Sequence, residues 1–257
     1  MLCSRPLLAV VTAAAIFAPA IAAQNLGSLE VAGRVRVAGK IEKITRKRFY
    51  LFRGGLEANK ALVDRLRTAE YTSKDCYYCK AKASPEFIAW LKAGDCESPY
   101  CRAISEEDAK TVPEFRTAYQ KGLRQFRNKP DIARTWLTTN LTPNIREGFY
   151  KQQKSVIEKL LEGTRPIQTT MTDSVSVRAI FIDIPIPLGQ PEAFLISNIV
   201  PTEVGGKGIV WACEVEIGTD KKVVFPLQVP EGNKKAKNCE VFVRDLPTCT
   251  ATSCDPK

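Results

Sequence analysis

The sequence predicts an α+β protein: a helical middle segment followed by a mostly antiparallel β-sheet or small sandwich, which an N-terminal β-hairpin can join. Three observations carry this. Apolar residues alternate with period 2 between residues 29 and 52, repeat at helical spacing from 56 to 162, and return to period 2 beyond Arg165-Pro166. The chain then divides into a signal peptide over 1–23, a basic β-hairpin over 24–55, a helical region with a cysteine quartet over 56–165, a β-rich region over 166–248 and a cysteine-containing tail over 249–257.

The first segment, MLCSRPLLAVVTAAAIFAPAIAAQN, has one cation (Arg5), an apolar run from Leu7 to Ala18 and the small-residue pattern Ala20-Ile21-Ala22 that signal peptidase reads. Pro19 interrupts the run, which falls short of the roughly 20 apolar residues that span a bilayer. Cleavage near Ala22 or Ala23 removes Cys3, and no later stretch is long and apolar enough to span a membrane. The expected location is therefore periplasmic or extracellular.

In LEVAGRVRVAGKIEKITRKRFYLF, Val35 and Val37 alternate with Arg34 and Arg36, Ala38-Gly39-Lys40 can turn, and residues 41–52 can return. A hairpin alone is marginal in water, so it should join a larger sheet or lie on helices. Eight cations stand between Arg34 and Arg53 against the single Glu42. Arg34, Arg36, Lys43, Arg46, Lys47 and Arg48 are the anion-binding candidates, with Phe49, Tyr50 and Phe52 adjoining. The competing reading makes those cations a solvated strand face and the aromatic residues core.

The helical region is punctuated clearly. Leu62, Leu66 and Ala69 share a face, and Ser84-Pro85-Glu86 starts a helix that Gly94 can close, with Phe87, Ile88 and Leu91 inward. Ser105 with Asp108, and Thr111 with Glu114, fit the pattern that caps orphan amides. Phe115, Tyr119 and Phe126 share the next face. Thr142-Pro143 opens a last helix bearing Ile145, Phe149, Val156 and Leu160. Asn140-Leu141-Thr142 has the form of a glycosylation acceptor, but its place at this helix start suits a cap better.

In the β-rich region, Ile209, Trp211, Cys213, Val215 and Ile217 share one strand face and Glu214 and Glu216 the other, the expected wet face. Val223, Phe225, Leu227 and Val229 continue the alternation, and Cys239, Val241 and Val243 repeat it. With SVSVRAIFIDI and EAFLISNIV, about five strands result, joined by turns at Gly189, Gly205-Gly206, Gly218 and Gly232, as a meander or sandwich.

Composition narrows the function. The 257 residues contain no histidine and carry a formal charge of +10. Without histidine, Ser-His-Asp and Cys-His hydrolases are excluded, as is any zinc site not built from Cys, Asp and Glu. Asp183, Glu192, Glu214 and Glu216 are the acids that a glycosidase-like pair would draw on, with nothing to select them. The charge favours anionic partners such as an envelope polymer or a lipid surface; a protein partner is a further candidate, and nucleic acid comes second.

Eight cysteines remain beyond the signal peptide: Cys76, Cys79, Cys96, Cys101, Cys213, Cys239, Cys249 and Cys254. An even number behind an export signal reads first as disulfides. Cys213 and Cys239 lie on the apolar faces of two strands, where a bridge is geometrically reasonable and two buried thiols are the alternative. Cys249 and Cys254 can pair locally or reach back to the sheet. The quartet at 76–101 is expected to form bridges nested or crossed around the helix at 84–93, closing loops of about 16 to 25 residues worth roughly 3 kcal/mol each. Two other readings compete: a four-cysteine zinc module, and a thiol-disulfide oxidoreductase using Cys76 and Cys79, whose thiolate Lys74, Lys80 and Lys82 would favour. The leading expectation is an exported, disulfide-stabilised, non-catalytic binding or structural protein without a cofactor.

Overall fold

The computed structural model describes residues 25–37, 39–94, 96–187, 190–204, 207–218, 222–230, 236–247 and 249. The signal-peptide segment, Cys254 and the turns at Gly189, Gly205-Gly206 and Gly232 lie outside the described residues. The element order is β1 (Asn25–Ala32), β2 (Arg34–Val37), β3 (Lys40–Lys43), β4 (Arg48–Arg53), α1 (Lys60–Thr68), α2 (Lys74–Lys80), α3 (Pro85–Ala93), α4 (Glu106–Thr111), α5 (Pro113–Gln125), α6 (Pro130–Thr135), a 3-10 turn (Leu137–Asn140), a π-helical turn (Asn144–Gly148), α7 (Phe149–Leu160), β5 (Gln168–Met171), β6 (Arg178–Ile186), β7 (Glu192–Ser197), β8 (Thr202–Val204), β9 (Lys207–Ile217), β10 (Lys222–Pro226) and β11 (Cys239–Asp245). The class is α+β, and among the described residues every pair of named strands except parallel β1–β10 is antiparallel.

Two sheets pack face to face, one in the order β10-β1-β6 and the other β11-β9-β7-β4-β5, with β8 also on β9. Between them lie Leu29, Val31, Phe181, Ile184, Phe49, Leu51, Phe194, Ile196, Trp211 and Cys213. The opposite face of the larger sheet is covered by α1 and α7, through Tyr50, Phe52, Leu195, Val210 and Ala212 against Leu62, Leu66 and Leu160. This double covering explains the unbroken apolar runs of β4, β7 and β9, because a central strand buried on both faces has no wet side to alternate with. A third core lies within the helices, centred on Tyr78, Phe87, Trp90, Phe115 and Phe149.

The expected hairpin is shorter than its sequence pattern. Only β2 and β3 pair as one, around Gly39 with φ +79°. The flanking strands diverge into different sheets: β1 pairs with β6 and β10, and β4 with β5 and β7. The reason is compositional. In β1, buried Leu29 and Val31 alternate with polar positions, which suits a sheet covered on one side, whereas Phe49, Tyr50, Leu51 and Phe52 are all buried. The two sheets form a sandwich, so the meander is set aside: β6 and β7 follow one another in sequence yet belong to different sheets.

Local capping agrees with the sequence in part. Ser105 and Asp108 form a reciprocal capping box on α4, and Ser84 Oγ accepts from the Phe87 amide at the start of α3. The Thr111–Glu114 cap does not form. Thr111 Oγ1 instead donates to the Glu107 carbonyl, and the Glu114 carboxylate accepts from the Ser84 amide at 2.5 Å and hydroxyl at 2.7 Å, tying α5 to α3. Val243 also departs from expectation, being exposed at the far end of β11.

Candidate anion-binding trough

A trough runs along α7, with the Asn198–Glu203 segment as its other wall. Two adjoining clefts compose it, sharing Lys47, Glu97, Gln153, Val200 and Pro201. The outer cleft, of about 270 Å³, is lined by Arg46, Arg48, Tyr150, Ile157, Met171 and the ion pair of Lys154 with Glu158 at 3.8 Å. The inner one is lined by Tyr71, Thr72, Ser73, Gln152 and Phe149. Tyr150 and Met171 are half exposed, so the outer cleft combines cations with apolar surface open to water.

The walls are held by specific contacts. Thr172 Oγ1 accepts from the Lys47 amide at 3.0 Å, and the Thr172 amide donates to the Lys47 carbonyl at 2.9 Å, fixing the loop between β3 and β4. Asn198 is buried and fully used: its Oδ1 accepts from the Trp211 amide, while its Nδ2 donates to the Val200 and Ile209 carbonyls and to Thr202 Oγ1. Gln152 donates to Thr72 Oγ1 at 3.0 Å, and Tyr71 donates to the Ile199 carbonyl at 2.9 Å. Burial pushes the Tyr71 hydroxyl up to about 12, against the opposing influence of Arg244. It therefore stays a neutral donor near pH 7 rather than a base.

Of the anion-binding candidates, Arg34, Arg36, Lys43, Arg46 and Arg48 are exposed. Arg34 and Lys43 are directly cross-strand, a like-charge juxtaposition that costs stability unless an anion relieves it. No carboxylate lies within ion-pair distance of any of the five among the described residues. Lys47 differs: it is only 8% exposed and bonds Glu97 at 3.0 Å. Phe49, Tyr50 and Phe52 are core, so they offer no rings for stacking. Sequence reading missed Tyr150, Gln153 and Lys154, whose only signal is their place off the apolar stripe of α7.

The cysteines pair as Cys76–Cys249, Cys96–Cys101 and Cys213–Cys239, with Cα separations of 4.9, 5.6 and 4.1 Å. Cys79 is also disulfide-bonded. The expected bridges nested around α3 are thus corrected: Cys96 closes a local loop, and Cys76 reaches 173 residues along the chain. It does so because the chain leaving β11 passes α2, placing Cys76 with Pro247, Leu246 and Arg244 around one cleft. The local Cys249–Cys254 pairing is excluded with it. A zinc module requires four thiolates, but Cys76, Cys96 and Cys101 are consumed in bridges. A redox couple requires Cys76 to pair with Cys79, whereas Cys76 is bonded to Cys249.

Two of the four candidate acids are already engaged by neighbouring groups. Glu192 is engaged by Arg53 Nη1, with both oxygens at 2.9 Å, and Glu214 accepts from the Leu56 amide at 2.7 Å. Glu214 is therefore half-buried toward α1 rather than on a wet face, and a Cβ on Gly55 would collide with its carboxylate. No helix among the described residues is long and apolar enough to cross a membrane. The chain matches no protein family, no curated relative and no solved structure.

Proposed function

We propose that this is an exported, non-catalytic protein that binds an anionic envelope or extracellular polymer along the trough, with the β2–β3 hairpin extending the contact. The reading rests on one observation: Arg46 and Arg48, without carboxylate partners among the described residues, stand beside exposed Tyr150 in a cleft continuous with amides and hydroxyls. Cations recognise the polymer's acids, the amides and hydroxyls its neutral polar groups, and a tyrosine face can receive a sugar ring. Disulfides support export, since they persist in oxidising compartments. Nucleic acid is the second anion, less favoured because burial of Phe49, Tyr50 and Phe52 leaves Tyr150 without a run of neighbouring rings on which successive bases could stack.

The test is calorimetric titration of the mature chain with polygalacturonate and with neutral dextran. Binding of the first alone, weakened at least about tenfold by raising salt and by Arg46→Glu with Arg48→Glu, is the expected result. Equal behaviour toward the two polymers, or no effect of the double variant, defeats the proposal. The intact mass of the protein from its native cell, thiols blocked beforehand, tests export and cleavage near Ala23.

A further inference from the structure

From Leu123 to Ile132 no residue is buried, so the end of α5, the following turn and the start of α6 project from the helical core. The turn is held in one shape. Arg127 and Asn128 both have left-handed backbone, with φ of 52° and 58°, a conformation asparagine tolerates but arginine uncommonly adopts. The Asn128 amide donates to the Leu123 carbonyl at 2.7 Å and the Lys129 amide to the Phe126 carbonyl, closing the turn.

The sequence of α6 decides what this projection presents. Its buried residue is Ala133, packed closely enough on Gly122 of α5 that a Cβ there would lie 3.2 Å from it. Ile132 on α6 and Trp136 at its C-cap, four residues apart and joined by the bond from the Trp136 amide to the Ile132 carbonyl at 3.0 Å, are left 37% and 50% exposed. The Phe126 ring lies 6.4 Å from Trp136 and extends the patch. Around it, Arg124, Arg127 and Lys129 have no carboxylate within ion-pair distance among the described residues, and the one acid of the turn, Asp131, is paired with Arg134.

We infer that this tip docks the protein on an anionic lipid surface. A projecting knob suits a deformable surface rather than a fitted cavity. Tryptophan with aliphatic neighbours belongs at the headgroup level, while arginine and lysine keep their charges among lipid phosphates. A small apolar insertion alone gives marginal, reversible attachment, and each cation near an anionic leaflet strengthens it by about fivefold. The two features make one another effective, and neither is used by the trough.

The protein carries its own reporter. Of its three tryptophans, Trp90 and Trp211 are 5% and 0% exposed, so Trp136 alone can sense a bilayer. The experiment mixes the mature chain with phosphatidylcholine vesicles containing or lacking about 30% phosphatidylglycerol, following tryptophan emission and co-sedimentation. The expected result is a blue shift and sedimentation with the anionic vesicles only, reversed by about 0.5 M salt. Trp136→Phe should lose the shift but keep sedimentation. Ile132→Ser with Trp136→Ser, and Arg127→Glu with Lys129→Glu, should each weaken sedimentation about tenfold or more. Sedimentation that survives both pairs but is lost in Arg46→Glu with Arg48→Glu would overturn the inference and place the contact on the trough. So would an emission change with single-stranded DNA but not vesicles, or no response to anionic vesicles at all. Because polymer binding is measured separately on the trough variants, failure here leaves that proposal intact.

Discussion

Lys47 and Glu97 meet at 3.0 Å, joining the segment after the β2–β3 hairpin to the loop after α3. Their settings differ: the Lys47 side chain is 9% exposed and that of Glu97 41%. Replacing Lys47 by methionine keeps the packing and leaves Glu97 in contact with water. The expected loss is therefore about 1–2 kcal/mol, less than for breaking a fully buried pair. Lys47→Glu should cost more, because it sets two carboxylates together. Urea denaturation of both variants measures this, and a wild-type midpoint for Lys47→Glu would show that the pair does not couple these segments.

Arg244 on β11 supplies the carboxy-terminal cap of α1. Its guanidinium donates to the Leu66 carbonyl at 2.9 Å and to the carbonyls of Arg67 and Ala69, while lying 5.6 Å from the Tyr71 ring. A cation at the negative end of a helix, satisfying orphan carbonyls, stabilises it. Arg244→Ala should cost about 2 kcal/mol in thermal or chemical unfolding. Arg244→Lys should restore less than half, since one ammonium cannot span carbonyls that a planar fork reaches together.

The bridges differ in the loops they close. Cys213–Cys239 spans 26 residues and Cys96–Cys101 spans 5. By chain entropy these separations correspond to about 3.5 and about 2 kcal/mol. Cys213→Ala with Cys239→Ala should therefore destabilise more than Cys96→Ala with Cys101→Ala, and burial of Cys213 at 0% exposure widens the gap by adding a small void. Denaturation without reductant ranks the two; the reverse order would contradict the assignment.

Glu30 provides the pH test. It lies on β1 only 1% exposed, covered by two long side chains: Lys222 at 2.5 Å from β10 and Arg178 at 2.8 Å from β6. The hydrogen bond from Lys222 leads in holding its carboxyl below the ordinary value, opposed by desolvation and aided by Arg178. A lowered folded value means the contribution is present above the unfolded value, about 4.3, and lost as pH falls through the folded one. The stability gap between wild type and Glu30→Gln should be open at neutral pH and close in acid. A constant gap would mean that the charge contributes nothing.

Legibility tracked how local each determinant is. The Ser105–Asp108 box and the start of α3 at Ser84-Pro85 were readable because their partners lie within one turn. Local spacing points Glu114 to Thr111, whereas its partner, Ser84, is 30 residues away and only the packing of α5 on α3 brings it near. In β9 the alternation of Trp211, Cys213 and Val215 identified one face, but Val210 and Ala212 gave no sign that α1 and α7 cover the other. Arg46 and Arg48 stood out as a charge run. Tyr150 and Lys154 did not, since they join it only through the placement of α7 beside the sheet.

Sequence alone determined the α+β class, the order of hairpin, helices and strands, and the exclusion of histidine chemistry, because these follow from periodicity, local capping and composition. The tertiary structure decided which sheet each strand enters, which cysteines pair and which cations stay in water. Those outcomes depend on contacts between residues as distant as Cys76 and Cys249, 173 positions apart. Such contacts are set by how buried faces close over one another, and no spacing within a short window records that.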